Sequence, residues 1–485
     1  MNSQIRRLTV AMLALFGALF VQLNLVQVLR AEQYRENPAN RRQILRDFNR
    51  PRGQIVAADG TVLARSVQSE GPLELQREYP EGALFGHITG YLSFAFGAEG
   101  VERTYNDTLV GREIAGSIDD LADLLVEKSR SGDVTLTIPT SVQRAARDAL
   151  GDRRGSVVAL DPRDGAVLAL WSFPSYDPNG ISTNDPEAAK AARDALLADP
   201  AQPLLPRAYR ETFFPGSTFK VVTAAAGLAS GTVTPERPSF PSTSQYLPPL
   251  TTRPIRNFGG GTCGGALFAV LRVSCNTAFA QMGVEIGAPA LVGQAESFGF
   301  NDQPPLDLPA VETSPIADVG SFEQNTPVLA QTAIGQNAVR TTPLQLALVA
   351  AGIANGGTVM APHVMSELSD DQGALVRRFE PTPWTEAMSG DDAATLRDAM
   401  VGVVESGTAT RLAVPGVPTA GKTGTAQLGN GLSHAWILGF APADTPRVAV
   451  AVIVEGQPGA SEQTGGRVAA PIGQAVLAAA LAATG

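Results

Sequence analysis

Ser217 and Lys220 are the pair in this chain whose types and spacing most plainly could do chemistry. They lie in Phe213-Phe214-Pro215-Gly216-Ser217-Thr218-Phe219-Lys220, which runs into the apolar stretch Val221 to Leu228. Pro215 and Gly216 punctuate the chain ahead of a run of helical length, so Ser217 is predicted in the first turn of a buried helix. Residues at i and i+3 share a helix face. Lys220 would then stand beside Ser217, and if burial keeps its amine neutral it can take the hydroxyl proton.

Lysine is scarce here: among 37 Lys+Arg, only Lys128, Lys190, Lys220 and Lys422 are lysines. Arginine supplies charge but cannot surrender its proton in a protein. Leu125, Glu187 and Thr419 precede the other three lysines by three positions, so only Lys220 has a serine there. A surface serine and lysine on an amphipathic helix is the plain alternative for an isolated S-x-x-K. Two further segments could join the pair, Ser274-Cys275-Asn276 and Lys422-Thr423-Gly424-Thr425. S-x-N alone discriminates little, since Ser182-Thr183-Asn184 is a second copy in a polar loop.

The elements that must position these residues follow from pattern. Val134 to Ile138 alternates as a strand, and Thr140-Ser141-Val142-Gln143 has the capping-box spacing that opens a helix through Leu150. Gly155 to Leu160 and Ala166 to Ser172 read as a hairpin with a five-residue turn at the heart of a sheet. Residues 178 to 200 read as a surface loop and helix. Pro235 to Gly265 has the composition of a loop region beside a cleft, and Ala266 to Val273 of a helix delivering Ser274. A helix from the Thr341-Thr342-Pro343 segment ends at Asn355-Gly356-Gly357. The Lys422 segment precedes two strands, Ala435 to Phe440 and Val448 to Glu455, and residues 469 to 483 form a closing helix.

Length, 485 residues, suggests two or three domains, and 44% hydrophobic with 17% charged residues is a folded composition. A net charge of -10 without a long basic run argues against nucleic acid as a partner. His87, His363 and His434 are scattered and the cysteines are only Cys263 and Cys275, so no metal site is expected. Leu8 to Val28 is long and apolar enough for a membrane-spanning anchor, with a cleaved signal peptide as the rival. Arginines at 30, 35, 41, 42 and 46 follow the span and only Arg6 and Arg7 precede it, so charge does not fix the orientation. Residues 31 to about 50 read as a juxtamembrane helix or linker. Asp59-Gly60 reads as a hairpin turn, and Ser129 to Asp133 as a linker.

Ser217-x-x-Lys220, Ser274-x-Asn276 and Lys422-Thr423-Gly424 stand in the order and rough spacing of penicillin-binding proteins and serine β-lactamases. With Pro51-Arg52-Gly53, Thr342-Pro343-Leu344-Gln345 and Ala354-Asn355-Gly356-Gly357 added, the whole chain resembles a class B penicillin-binding protein, nearest the actinobacterial penicillin-binding protein A type. It departs in having Pro206-Arg207-Ala208 where Asn-Arg-Ala is frequent, and Asn337 where glycine is common. The resemblance implies an α/β (α+β) transpeptidase fold, an antiparallel sheet flanked by helices plus an all-α subdomain. It implies an anchor over residues 1-30, a non-catalytic pedestal over 31-130 and the transpeptidase domain over 131-485.

The same resemblance implies that Ser217 attacks the D-Ala-D-Ala carbonyl of a peptidoglycan stem peptide, or a β-lactam, with Lys220 as base. Ser274 and Lys422 serve the leaving group, and Asn276 orients Lys220 and the substrate amide. Thr423 and Thr425, with Gly424 between them, hold the terminal carboxylate, and the Ser217 and Thr425 N–H groups form the oxyanion hole. No cofactor is implied. The partners implied are a membrane glycosyltransferase of the cell-wall machinery and the inner (plasma) membrane, with the catalytic domain extracytoplasmic. In that oxidising space Cys263 and Cys275 are disulfide candidates, two reduced buried thiols being the alternative. A D,D-carboxypeptidase or β-lactamase is the rival enzyme, and a penicillin sensor or scaffold the rival non-enzyme. Only seven residues precede the span, too few for an effector domain.

Overall fold

The computed structural model describes residues 2–24, 48–70, 73–111, 131–428, 431–457 and 464–484. A five-stranded antiparallel sheet runs in the order Ala420–Gln427, Ser433–Ala441, Val448–Val454, Gly155–Leu160, Val167–Phe173. Its three inner strands are buried at every residue, which is why they read as continuous apolar runs. Helices Pro343–Ala354 and Ala470–Ala483 both pack on Val448–Val454. Since alternate side chains of that strand point to opposite faces and all are buried, the two helices cover opposite sides. Each Val, Ile or Leu so enclosed contributes about 1.5–3 kcal/mol.

The expected hairpin forms, with Ala159 opposite Ala169, but its second strand is a sheet edge and not the heart. The Lys422 segment, expected only to precede strands, is itself the opposite edge strand, in register with Ser433–Ala441 from Ala420↔Phe440 to Gln427↔Ser433. An edge leaves one row of backbone groups open to a cleft.

Helix Thr140–Leu150 spans the expected residues without the capping box. Thr140 donates both its N–H and Oγ1 to Asp59, at 2.9 and 3.1 Å, and the Gln143 amide serves Leu84 and Leu170 instead. A carboxylate from a distant turn outcompetes the local cap, and it is electrostatically favourable at a helix N-terminus. The Pro235 to Gly265 region, expected as loop, contains short strands, Phe240–Thr243 with Cys263–Gly265 and Gln245–Tyr246 with Ile255–Arg256.

Asp59-Gly60 turns the expected hairpin, with Ile55 paired to Ala64, and Ile55 also pairs in parallel with Val134. Asp133–Leu136 pairs in turn with Met365–Ser369, so residues far along the chain complete this sheet. Beneath it Pro51-Arg52-Gly53 has a definite task. Glu102, with no exposed surface, accepts from Arg52 Nε and Arg77 Nε, both at 2.6 Å, and from the Tyr79 hydroxyl at 3.2 Å. Gly53 lies so close to Gly132 that a Cβ would sit 1.9 Å from its carbonyl oxygen.

The chain divides into two compact units, Met1–Pro51 with Val67–Gln76, and Arg52–Ser66 with Arg77–Gly485. In the first, helix Asn2–Asn24 carries exposed apolar side chains throughout, and Gln4–Leu23 has the length and mean hydropathy, 1.5, of a membrane span. Gly465–Ala483 passes the same test but is part of the packed core. The expected span beyond Asn24, the juxtamembrane segment up to residue 47, and residues 129 and 130 of the expected linker lie outside the described residues.

Candidate active site

Ser217 occupies a 3-10 turn, Gly216–Phe219, that leads into the α-helix Lys220–Ala229, so the expected α-helical first turn is a tighter one. In a 3-10 turn i and i+3 eclipse, which sets Ser217 and Lys220 directly in line along one edge of the turn. The turn is fixed from both sides. Gly216 has φ +55 and its N–H donates to the Gly335 carbonyl at 2.9 Å. A Cβ on Gly335 would sit 1.9 Å from the Gly216 oxygen. Asn337, the departure from glycine, has φ +63, a conformation that Asn tolerates better than other non-glycine residues.

Lys220 has no exposed surface. Its Nζ donates to Asn276 Oδ1 at 2.6 Å, the Ser274 carbonyl at 2.8 Å and Ser274 Oγ at 3.3 Å. These three partners leave Ser217 Oγ unbonded to Lys220 Nζ, with Ser217 half-buried at the cleft wall. Asn276 opens helix Asn276–Ile286, and its Nδ2 donates to the Arg256 carbonyl at 3.0 Å, which aims Oδ1 at Lys220. Ser274 sits between that helix and Leu267–Arg272 with φ +56, a strained conformation costing roughly 1–2 kcal/mol. Bonds from Ser274 N to Leu271 O and from Cys275 N to Val270 O hold the turn, and Cys275 is joined to Cys263, the Cα atoms 5.8 Å apart.

Lys422, also without exposed surface, reaches the same point from the edge strand. Its Nζ donates to Ser274 Oγ and to the Thr423 carbonyl, both at 2.8 Å. The Ser274 hydroxyl is therefore held between two buried amines. Burial, and then the Lys422 charge, push Lys220 well below the ordinary lysine range. Burial alone brings Lys422 down to about 7. Among the described residues neither has a carboxylate partner, so losing the proton is the cheaper response to desolvation. Such amines can accept and pass protons near neutral pH.

Ser217, Ser274, Asn276, Thr423, Gly424 and Thr425 line one cleft of about 1270 Å³, with Lys220 and Lys422 behind its wall. Gly424 approaches the nucleophile turn so closely that a Cβ would meet Pro215 O and Thr218 Cγ2, each at 2.9 Å. Among the described residues no Asp or Glu lines the cleft. Sequence reasoning missed Thr408, whose hydroxyl lies 2.6 Å from that of Thr423; it is remote in sequence and carries no spacing signal. Ser182 of the second S-x-N ends a short helix, Asn179–Ser182, away from these residues' hydrogen bonds. His434 is a strand residue, edge-on to Phe213, and burial lowers its pKa to about 4.

Comparison with known proteins agrees with this geometry. Residues 155–478 match the model of the penicillin binding protein transpeptidase domain, and residues 52–134 that of the penicillin binding protein A dimerisation domain. The chain is 41% identical over 500 residues to the peptidoglycan D,D-transpeptidase PbpA of Mycolicibacterium smegmatis, covering 99% of each, and 39% identical to that of Mycobacterium tuberculosis with the same coverage. Penicillin-binding protein A from M. tuberculosis, solved as its penicillin G acyl-enzyme complex, is 38% identical with a TM-score of 0.81, over 89% of this chain and 100% of that one.

Proposed function

This chain belongs to the penicillin-binding protein transpeptidase family, and from that premise we propose how its residues carry out peptidoglycan D,D-transpeptidation. The observation that carries the reading is the Ser274 hydroxyl held at 2.8 Å from Lys422 and 3.3 Å from Lys220, on the cleft that Ser217 also lines. Neutral Lys220 takes the Ser217 proton as Oγ attacks the penultimate D-Ala carbonyl. The tetrahedral oxyanion forms against the Ser217 and Thr425 N–H groups, each donor contributing about 3–4 kcal/mol. Ser274, supplied with protons by Lys422, protonates the departing D-Ala, and Thr423 and Thr425 hold its carboxylate. An amine of a second stem peptide then attacks the ester, and the proton path runs in reverse. A β-lactam enters the same path, but its leaving group stays tethered.

The lack of a carboxylate on the described cleft wall favours transfer over hydrolysis, since rapid deacylation by water needs a second base over the ester. A glycosyltransferase partner that makes the glycan strands, a single-pass membrane anchor formed by Gln4–Leu23, and an extracytoplasmic catalytic domain complete the proposal. The Cys263–Cys275 bridge suits such a compartment. The test is intact-mass analysis after penicillin. One adduct, on Ser217, lost in Ser217→Ala and lasting many minutes, is expected. An adduct retained by Ser217→Ala would refute the nucleophile, and steady turnover of a chromogenic cephalosporin would make the enzyme a hydrolase.

A further inference from the structure

The protein carries a net charge of -10, yet among the described residues the charged side chains on the cleft wall are all arginines: Arg256, Arg272, Arg411 and Arg467. Elsewhere arginines are commonly engaged, as Arg52, Arg77, Arg154, Arg163, Arg207 and Arg210 are with carboxylates. Among the described residues none of the four cleft arginines forms an ion pair, and all four are exposed. An unpaired cluster of one sign in a protein of the other sign focuses field into the cleft.

The backbones that carry three of the four come together near one spot. The Arg272 carbonyl accepts from the Thr408 N–H at 3.3 Å, and the Thr408 hydroxyl lies 2.6 Å from that of Thr423. Gly465 and Gly466 fold down onto the same place: a Cβ on Gly465 would be 2.5 Å from the Gly424 oxygen, and one on Gly466 the same distance from the Thr408 oxygen. This brings the next residue, Arg467, to the rim, where Arg411 Nη1 meets its carbonyl at 3.5 Å. The end of helix Leu267–Arg272 and the helical turns Thr410–Leu412 and Gly465–Ala469 thus come together beside the Thr408–Thr423 hydroxyl pair, and the arginine of each lines the same cleft. The fork of a guanidinium matches a carboxylate.

Resting on the acyl-transfer reading above, we propose that Arg272, Arg411 and Arg467 determine specificity for a free carboxylate on the leaving-group side of the scissile bond. Thr408 is the positioning residue that orients the Thr423 hydroxyl toward that anion. The arginines draw the anionic donor in by long-range attraction, so their effect falls on capture and is screened by salt.

The experiment measures second-order acylation of the full chain by benzylpenicillin and by its uncharged methyl ester, at about 20 and about 500 mM NaCl, read as the Ser217 mass adduct. Wild type should lose about tenfold toward benzylpenicillin at high salt, and R272Q/R411Q/R467Q should start about tenfold slower and change less than about twofold. The ester should change less than about twofold throughout, and the triple lysine variant should keep the salt response. Thr408→Val should raise the concentration for half-maximal acylation by benzylpenicillin more than it lowers the limiting rate, and Thr408→Ser should restore both. A triple glutamine variant with the wild-type rate and salt response, or one slowed equally on both compounds, would overturn the proposal. Absence of any adduct in wild type would instead remove the acyl-transfer reading and take this inference with it.

Discussion

Two of the clusters of buried ionisable side chains among the described residues differ in one ingredient. Near the N-terminal hairpin, Arg52 and Arg77 share Glu102, which burial alone would push up but which the two guanidinium groups hold below its usual range. At the cleft, Lys220 and Lys422 share Ser274, a hydroxyl that neutralises nothing. The first cluster stays ionised and fastens strands and helix together. The second is driven toward neutrality, and a neutral amine beside a serine is a base. The choice of arginine in one and lysine in the other follows, since only lysine can yield its proton.

The sharpest break of this contrast is to give the cleft the other cluster's residue. Lys220→Arg removes the base and sets a permanently charged guanidinium in a buried site whose partners are all neutral, so acylation of Ser217 should fall about 1,000-fold in the folded variant and the melting temperature should drop as well; rapid acylation would remove Lys220 from its role. The reciprocal change, Glu102→Gln, leaves two buried guanidinium groups without their anion and should cost about 3–5 kcal/mol in denaturant unfolding. A cost below about 1 kcal/mol would show that water already reaches the cluster. Asn276→Asp makes the cleft resemble the other cluster more subtly. It sets a carboxylate at the position 2.6 Å from Lys220 Nζ, keeps that amine protonated, and should slow acylation about 100-fold at pH 7, with partial recovery at higher pH. Unchanged acylation would mean that the partner does not control the proton. Tyr79→Phe, which removes one bond to a Glu102 already held by two cations and the acceptor of the Leu92 N–H at 2.7 Å, should cost about 1–3 kcal/mol by chemical denaturation.

How much of this contrast the sequence could reveal depended on the range of each contact. Periodicity announced the inner strands and helices because burial on one or both faces dictates residue type position by position. Ser217, Lys220, Ser274, Asn276 and Lys422 announced themselves because a family resemblance keeps their order. Glu102 did not, because Arg52 and Arg77 reach it across 50 and 25 residues, and nothing local distinguishes it from a solvated glutamate. The Thr140 cap was misread for the same reason: a local pattern cannot show that Asp59 arrives first. Thr408, the left-handed Ser274 and the edge position of the Lys422 strand likewise exist only once distant segments meet.

The central claim is that burial lowers the proton affinity of two of the four lysines, leaving Lys220 free to accept a proton and Lys422 able to exchange one near neutral pH, and the scarcity of lysine makes that directly observable. Protein labelled with 13C at lysine Cε should give four resonances, with Lys220 and Lys422 assigned by their loss in the Lys220→Arg and Lys422→Arg variants. A pH titration should show Lys422 changing near 7 and Lys220 well below the ordinary lysine range. Lys190, exposed and bonded to Asp194, should change above that range. If Lys220 and Lys422 instead titrate together with Lys190, both buried amines are charged at neutral pH and neither can be the base.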